Sequence, residues 1–164
     1  MRPIPISPGP GEESVWAYPR PPRLEPVPVR LRVVLGGRTI ADTVAGYRVL
    51  ETSHPPTLYV PPGAFAPGTL HDAAGSSFCE WKGLARYHDL HAGEAVAARA
   101  GWSYPRPTTP FLALRDHVSV YPGRMDACFL DDERVRSQEG DFYGGWITDD
   151  LIGPFKGGPG TRGW

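Results

Sequence analysis

The chain has 164 residues, about one domain's length, and a domain of that size hides roughly two thirds of its unfolded surface. Lys+Arg 17 against Asp+Glu 18 leaves a net charge of −1, which gives no electrostatic reason to expect nucleic acid or an anionic membrane as partner. Gly 20 and Pro 20 exclude an all-α bundle and favour short strands between turns, while 11% aromatics supply apolar area that a disordered chain lacks.

Residues 1–13, rich in Pro and Gly, read as a flexible arm, and residues 14–164 as one β-rich domain. Residues 14–28 interleave Trp16, Tyr18, Arg20 and Arg23 with prolines, so they are extended but lack the amide donors of a central strand. Val29, Leu31 and Val33 alternate with Arg30 and Arg32, the period-2 pattern of a strand with one wet face. Gly36-Gly37 marks a tight hairpin with Thr39–Val44 returning. Tyr47–Thr52 and Thr57–Val60 read as strands, and 63–78 as loop. Gly83–Leu90 and Glu94–Ala100 form a hairpin about Ala92-Gly93, although the second arm also carries helix formers. One short helix is expected near 109–116, with Thr109 as N-cap and Pro110 at its first position. His117–Tyr121 and Met125–Leu130 are further strands, and the tail after Gly153 is too rich in Gly and Pro for regular structure.

Sliding the chain on itself by 86 positions lays Trp16-Ala17-Tyr18-Pro19-Arg20-Pro21 over Trp102-Ser103-Tyr104-Pro105-Arg106-Pro107. Both turns, Gly36-Gly37 and Pro122-Gly123, coincide in that register. Read as a duplication, the halves are about 16–100 and 102–164, packing as two antiparallel sheets with a ligand groove between them. Shared Pro, Gly and Arg bias is the competing explanation.

Arg48-Val49-Leu50-Glu51-Thr52-Ser53-His54-Pro55-Pro56, Cys79-Glu80-Trp81-Lys82-Gly83, Trp102-Ser103-Tyr104-Pro105 and the run Asp116–Ala127 together resemble the domain of unknown function 427 family. The tail from Phe142 to Trp164 resembles its longer, actinobacterial-type form, so the likeness runs over about 14–164. The resemblance implies a mostly β fold of two antiparallel sheets packed at an angle, similar to the β-tent of cereblon's thalidomide-binding domain and methionine sulfoxide reductase B. It brings a nucleotidyltransferase-like label and no defined reaction. Zinc-bearing β-tent relatives use paired Cys, from which this chain departs.

Cys79 and Cys128 lie outside any C-x-x-C pair, so Cys alone assembles no zinc site. No metal or cofactor is expected. The N-terminus lacks a signal peptide's apolar stretch, and no apolar run approaches the roughly 18 residues of a membrane span, so a soluble cytoplasmic monomer or homodimer is expected.

Cys79, Trp81 and Lys82 bring a thiol, a ring and an amine together. Lys82 beside rings could lose its proton and act as base or nucleophile, and Cys79 beside Lys82 could be a thiolate. The plain alternative is that Trp81 is core and Lys82 pairs with a carboxylate. Glu51 and His54 bracket a Pro-terminated turn, where Glu can orient His or act as base. His117, with Tyr121 four residues on, suits proton transfer. The candidate sites are Glu51, Lys82, His117 and Tyr121 for catalysis, and His54, Tyr59, Cys79, Trp81, Trp102 and Tyr104 for binding. His88-x-x-His91 is a metal fragment without a third ligand. Lys156-Gly157-Gly158-Pro159-Gly160-Thr161 has its Lys before the glycines, so it is no Walker loop, and reads at most as a loose anion nest. The expected function is a small-molecule enzyme, a transferase by its label, or a binding protein, with a nucleotide-like or aromatic polar ligand between two sheets. The alternatives are a non-catalytic aromatic cage and a partner-binding domain using the Pro/Arg/Trp-rich N-terminal segment.

Overall fold

The computed structural model describes residues 2–164. In chain order the strands are β1 (Glu13–Ser14), β2 (Arg23–Val27), β3 (Leu31–Leu35), β4 (Arg38–Thr43), β5 (Gly46–Leu50), β6 (Thr57–Tyr59), β7 (Leu70–Cys79) and β8 (Gly83–Ala92). They continue as β9 (Ala95–Ser103), β10 (Val118–Val120), β11 (Ala127–Leu130), β12 (Glu133–Arg134), β13 (Arg136–Ser137), β14 (Trp146–Ile147) and β15 (Leu151–Ile152).

Gly36 and Gly37 both take positive φ, 59° and 70°, and close the β3–β4 hairpin in two residues, a turn whose twist suits paired strands. The buried members of β3, Leu31, Val33 and Leu35, alternate with half-buried Arg32 and Val34 as period 2 requires. β3 is central in a sheet ordered β12-β11-β3-β4. A second sheet runs β2-β5-β6, a third β10-β9-β8-β7, and reciprocal hydrogen bonds of 2.9 Å between Val60 and Val118 join these two. Pro26 is tolerated in β2 because that strand lies at a sheet edge. Among the described residues the fold is mostly β, with antiparallel sheets and open strand orders.

β6 shows how the layers divide. Leu58 and Val60 enter an aliphatic core with Leu31, Val33, Leu90 and Val118, while Tyr59 enters an aromatic cluster with Tyr87, Trp102, Tyr104 and Tyr121. The aliphatic core fills the space shared with β3, β4 and β11. The aromatic cluster sits on the other face of the joined sheets.

Two local expectations are corrected. Residues 70–78 of the expected loop, together with Cys79, form ten-residue strand β7, paired by backbone to β8. The expected helix is a 3₁₀ segment, Thr109–Leu114, broken at Phe111; its N-cap is Thr108, whose hydroxyl donates to the Trp81 carbonyl at 2.6 Å instead of capping. The second arm of the 92–93 hairpin is strand β9, as expected, in spite of its helix formers.

The segment 14–28 packs on its own domain. Trp16 Nε1 donates to the Pro154 carbonyl at 2.7 Å, and β2 pairs with β5 along its whole length. The segments related by the 86-residue offset occupy different settings. Trp16 lies in a 3₁₀ turn against Trp164, whereas Trp102 lies within β9; β3 and β4 pair with each other, whereas β10 and β11 belong to different sheets.

Candidate functional site

A cavity of about 500 Å³ opens over the aromatic cluster, where β5 and β6 meet β7, β8 and β9. That volume suits small-molecule pockets. No residue of β3, β4, β11 or β12 lines it, so the cavity lies at the seam of the joined sheets and not in the interior the two halves were expected to share.

Nine of the ten expected site residues line this cavity: Glu51, Lys82 and Tyr121, then His54, Tyr59 and Cys79, then Trp81, Trp102 and Tyr104. His117 does not. Its Nδ1 lies 3.0 Å from the Arg115 carbonyl oxygen and its ring packs edge-on against Tyr47, so it belongs to the surface beside β10.

Cys79 to Gly83 form the tight turn joining β7 to β8, with Cys79 and Gly83 paired. Gly83 takes φ +111°, where a Cβ would meet the Arg106 carbonyl at 3.2 Å. Thr108 pins the turn through the Trp81 carbonyl and by donating its N–H to the Lys82 carbonyl at 3.1 Å. Glu80 is thereby left exposed while Lys82 is buried, 8% exposed. The Lys82 ammonium stands 5.6 Å from the Tyr104 ring centre, a cation–π distance. Burial opposes its charge, but Tyr59, Cys79 and Glu51 outweigh that, and its pKa lies above the ordinary lysine value. Lys82 therefore carries a positive charge at neutral pH and is not the free-amine nucleophile envisaged from sequence. Its ammonium has no carboxylate within 4 Å; among the described residues Glu51 pairs instead with Arg20, at 3.2 Å.

His54 is buried on the turn after Glu51. Burial first, then the charges of Lys156, Arg20 and Lys82, drive its pKa down to about 3, so the ring is neutral. It is not a proton shuttle near neutral pH. Tyr121 is also committed elsewhere: its hydroxyl donates to the Phe142 carbonyl at 2.9 Å, and burial pushes its pKa up to about 12. Burial likewise raises Tyr104, aided by Tyr59.

Sequence reasoning missed the wall supplied by the tail. Gln138, Phe142, Tyr143, Gly144 and Lys156 line the cavity. Gly144 lies flat on Trp102; a Cβ there would stand 2.4 Å from Cη2 of the indole. Gln138, 1% exposed, bolts the tail down, accepting from Gly145 N–H at 3.0 Å and donating to the Lys156 carbonyl at 2.7 Å. Lys156 sends its ammonium toward the Tyr143 ring at 5.3 Å and to the Trp164 main-chain oxygen at 3.3 Å. Its side chain, rather than the glycine run after it, is what the tail contributes: Thr161 Oγ1 takes the Gly157 N–H at 2.9 Å, closing the nest on itself. A lone Gln offers no motif, but Gly144-Gly145 after two aromatics was a signal of close backbone approach.

His88 and His91 separate. His88 Nε2 lies 2.7 Å from Ser103 Oγ, and His91 stacks on His71 with centres 3.9 Å apart. No group of three or more His, Cys, Asp or Glu side chains gathers among the described residues.

The fold and site define a β-sheet protein with an aromatic, cation-bearing cavity. Residues 23–131 match the family described as a domain of unknown function (DUF427), and the chain belongs to that family. The matched stretch is narrower than the 14–164 likeness; it supplies Glu51, His54, Lys82 and Trp102, while Gln138 and Lys156 lie beyond it. No curated protein matches the chain.

Proposed function

We propose that the protein binds a small planar molecule carrying an anionic group in this cavity. The aromatic walls of Tyr87, Trp102 and Tyr121 hold the planar part, and Lys82 meets the anion. The observation that supports this most is the Lys82 ammonium, buried at the cavity wall with no carboxylate in ion-pair reach. A buried charge without a counter-ion costs several kcal/mol, so a fold that keeps one uses it. Binding does not require a reaction, and the side chains expected to be catalytic are engaged elsewhere: Tyr121 on a carbonyl, Glu51 on Arg20, Lys82 as an ammonium, and His117 outside the cavity. Metal-dependent nucleotidyl transfer, which the family label suggests, uses clustered carboxylates around its ions; Glu51, held by Arg20, and exposed Glu80 do not form such a set. We therefore read the cavity as a binding site.

Thermal unfolding against a panel of aromatic acids, aryl phosphates and nucleotides, with their uncharged parents, tests this. A ligand that binds the native state raises the midpoint. An aromatic anion should raise it, its neutral parent should not, and Lys82→Met should abolish the rise. Equal effects of anion and neutral parent would overturn the reading.

A further inference from the structure

We propose that Cys79 is a covalent attachment site for conjugated enones that carry a carboxylate, with Lys82 meeting the carboxylate while the sulfur forms the bond. This rests on the reading of Lys82 as the anion anchor of the cavity and adds a reaction at a neighbouring atom.

Placement is the first argument. Cys79 and Lys82 belong to the one turn that closes β7 onto β8, and both side chains line the cavity. Cys79 packs on the aromatic cluster that contains Tyr104, and the Lys82 ammonium stands 5.6 Å from the Tyr104 ring centre. The turn is fixed from two sides. Cys79 pairs with Gly83, and Thr108 holds the Trp81 and Lys82 carbonyls at 2.6 and 3.1 Å. Thiol and cation therefore face the same space from one rigid support.

The second argument is what each group lacks. Lys82 is 8% exposed, and among the described residues no carboxylate lies within 4 Å of it. The other charges of the cavity have partners: Glu51 and Arg20 meet at 3.2 Å, and Lys156 donates to the Trp164 main-chain oxygen at 3.3 Å. One unpaired ammonium calls for one negative charge, which a carboxylate supplies. Cys79 is a free thiol, half-buried on the cavity wall. Cys128 is also free but lies in the aliphatic core, where burial pushes its thiol up and leaves it inert. The step itself is an addition and needs no oxidant. The Cys79 thiol gives its proton to water, and the sulfur forms a bond to the alkene carbon β to the ketone. The π pair of the alkene moves to the ketone oxygen as an enolate, and the carbon next to the ketone then takes a proton from water. The net result is S–H added across C=C.

Labelling of the whole chain with 3-benzoylacrylate and with its methyl ester, followed by peptide mass mapping, tests this, with N-acetylcysteine amide as the free-thiol reference. Both reagents meet the same sulfur at one pH, so its thiolate fraction cancels from the ratio of their rates. Cys79 should take one adduct and Cys128 none. The acid-to-ester rate ratio at Cys79 should exceed that of the free thiol about tenfold, the scale on which a charged cleft concentrates an opposite charge. Lys82→Met should bring the ratio down to the free-thiol value, and Lys82→Arg should keep the preference. Saturated 3-benzoylpropionate, which cannot react, should slow the labelling. An unlabelled Cys79, or a wild-type ratio equal to that of the free thiol, overturns the covalent site. If 3-benzoylpropionate still raises the unfolding midpoint, that result spares the binding reading; if it and the wider panel do nothing, both fall.

Discussion

Strand β5 separates two cations that the fold treats in opposite ways. Arg48 and Val49 are adjacent, so they point to opposite faces. Arg48 meets Glu25 through Nε at 2.6 Å and Glu13 at 3.0 and 3.2 Å, and Tyr18 donates to the same Glu13 at 2.6 Å. Val49 faces the cavity, where Lys82 has no such partner. Burial works against the charge of Glu13, but its bonds from Arg48 and Tyr18 outweigh it and hold its pKa below the ordinary value. The Arg48 cluster joins β1, β2 and β5, and its charges serve the architecture. The Lys82 ammonium stands over the Tyr104 ring with no carboxylate within 4 Å, and it is the group we propose to meet a ligand.

Several substitutions sharpen that contrast, beginning with the part that holds the cavity wall. Gln138→Leu strips Gly145 N–H, the Lys156 carbonyl and His54 Nδ1 of their partner, and each orphaned buried group costs about 1–3 kcal/mol. Chemical denaturation should show a loss of at least about 3 kcal/mol. Arg48→Met leaves Glu13 without its hydrogen-bonded cation and Glu25 with only Arg23, at 3.5 Å; the pairs are partly exposed, so a loss of about 2 kcal/mol is expected. Gly144→Ala drives a methyl into Trp102 and should cost about 2 kcal/mol, with a change in tryptophan fluorescence.

The pH dependence comes next. His54 binds its proton more weakly folded than unfolded, so between its ordinary value of 6.5 and about 3 the unfolded state takes up more protons. Its contribution is intact above pH 6.5 and is lost as pH falls, with a limiting slope of about 1.4 kcal/mol per pH unit. Glu13 adds a loss in the same direction at lower pH: its pairing stabilises above the ordinary carboxylate value and fades as pH falls through the lowered one. Denaturation series in the His54→Gln and Arg48→Met variants should flatten these two limbs separately. Lys82→Met should have the smallest effect on stability, between none and a gain of about 1 kcal/mol, because an apolar side chain replaces a buried unpaired charge.

The sequence announced the strands that bury one face and ended in a strong turn. The β3–β4 hairpin was legible because Leu31, Val33 and Leu35 alternate before Gly36-Gly37. β7 was not. Leu70-His71-Asp72-Ala73-Ala74-Gly75-Ser76-Ser77-Phe78-Cys79 has no β-branched residue, its register shifts between Asp72 and Ser76, and it lies at a sheet edge. Backbone pairing to β8 makes it a strand, and side-chain pattern does not report that. Most of the cavity was legible because aromatics and charged groups cluster in four short runs. His117 misled because adjacency to Tyr121 in sequence was taken for a shared site, whereas Tyr121 turns into the cavity and His117 stays outside. Gln138 stayed hidden, and Lys156 was read only as part of a loose anion nest, because their roles depend on where the tail lies, which its glycines and prolines permit without specifying.

The most direct measurement compares Lys82→Met with Arg48→Met in the same two assays, urea unfolding and titration with an aromatic anion that stabilises the wild-type protein. Lys82→Met should keep wild-type stability or better and lose at least tenfold in affinity, while Arg48→Met should lose about 2 kcal/mol of stability and keep its affinity. A Lys82→Met protein that unfolds readily, or one that holds the anion as tightly as before, would show that this charge belongs to the fold or to nothing.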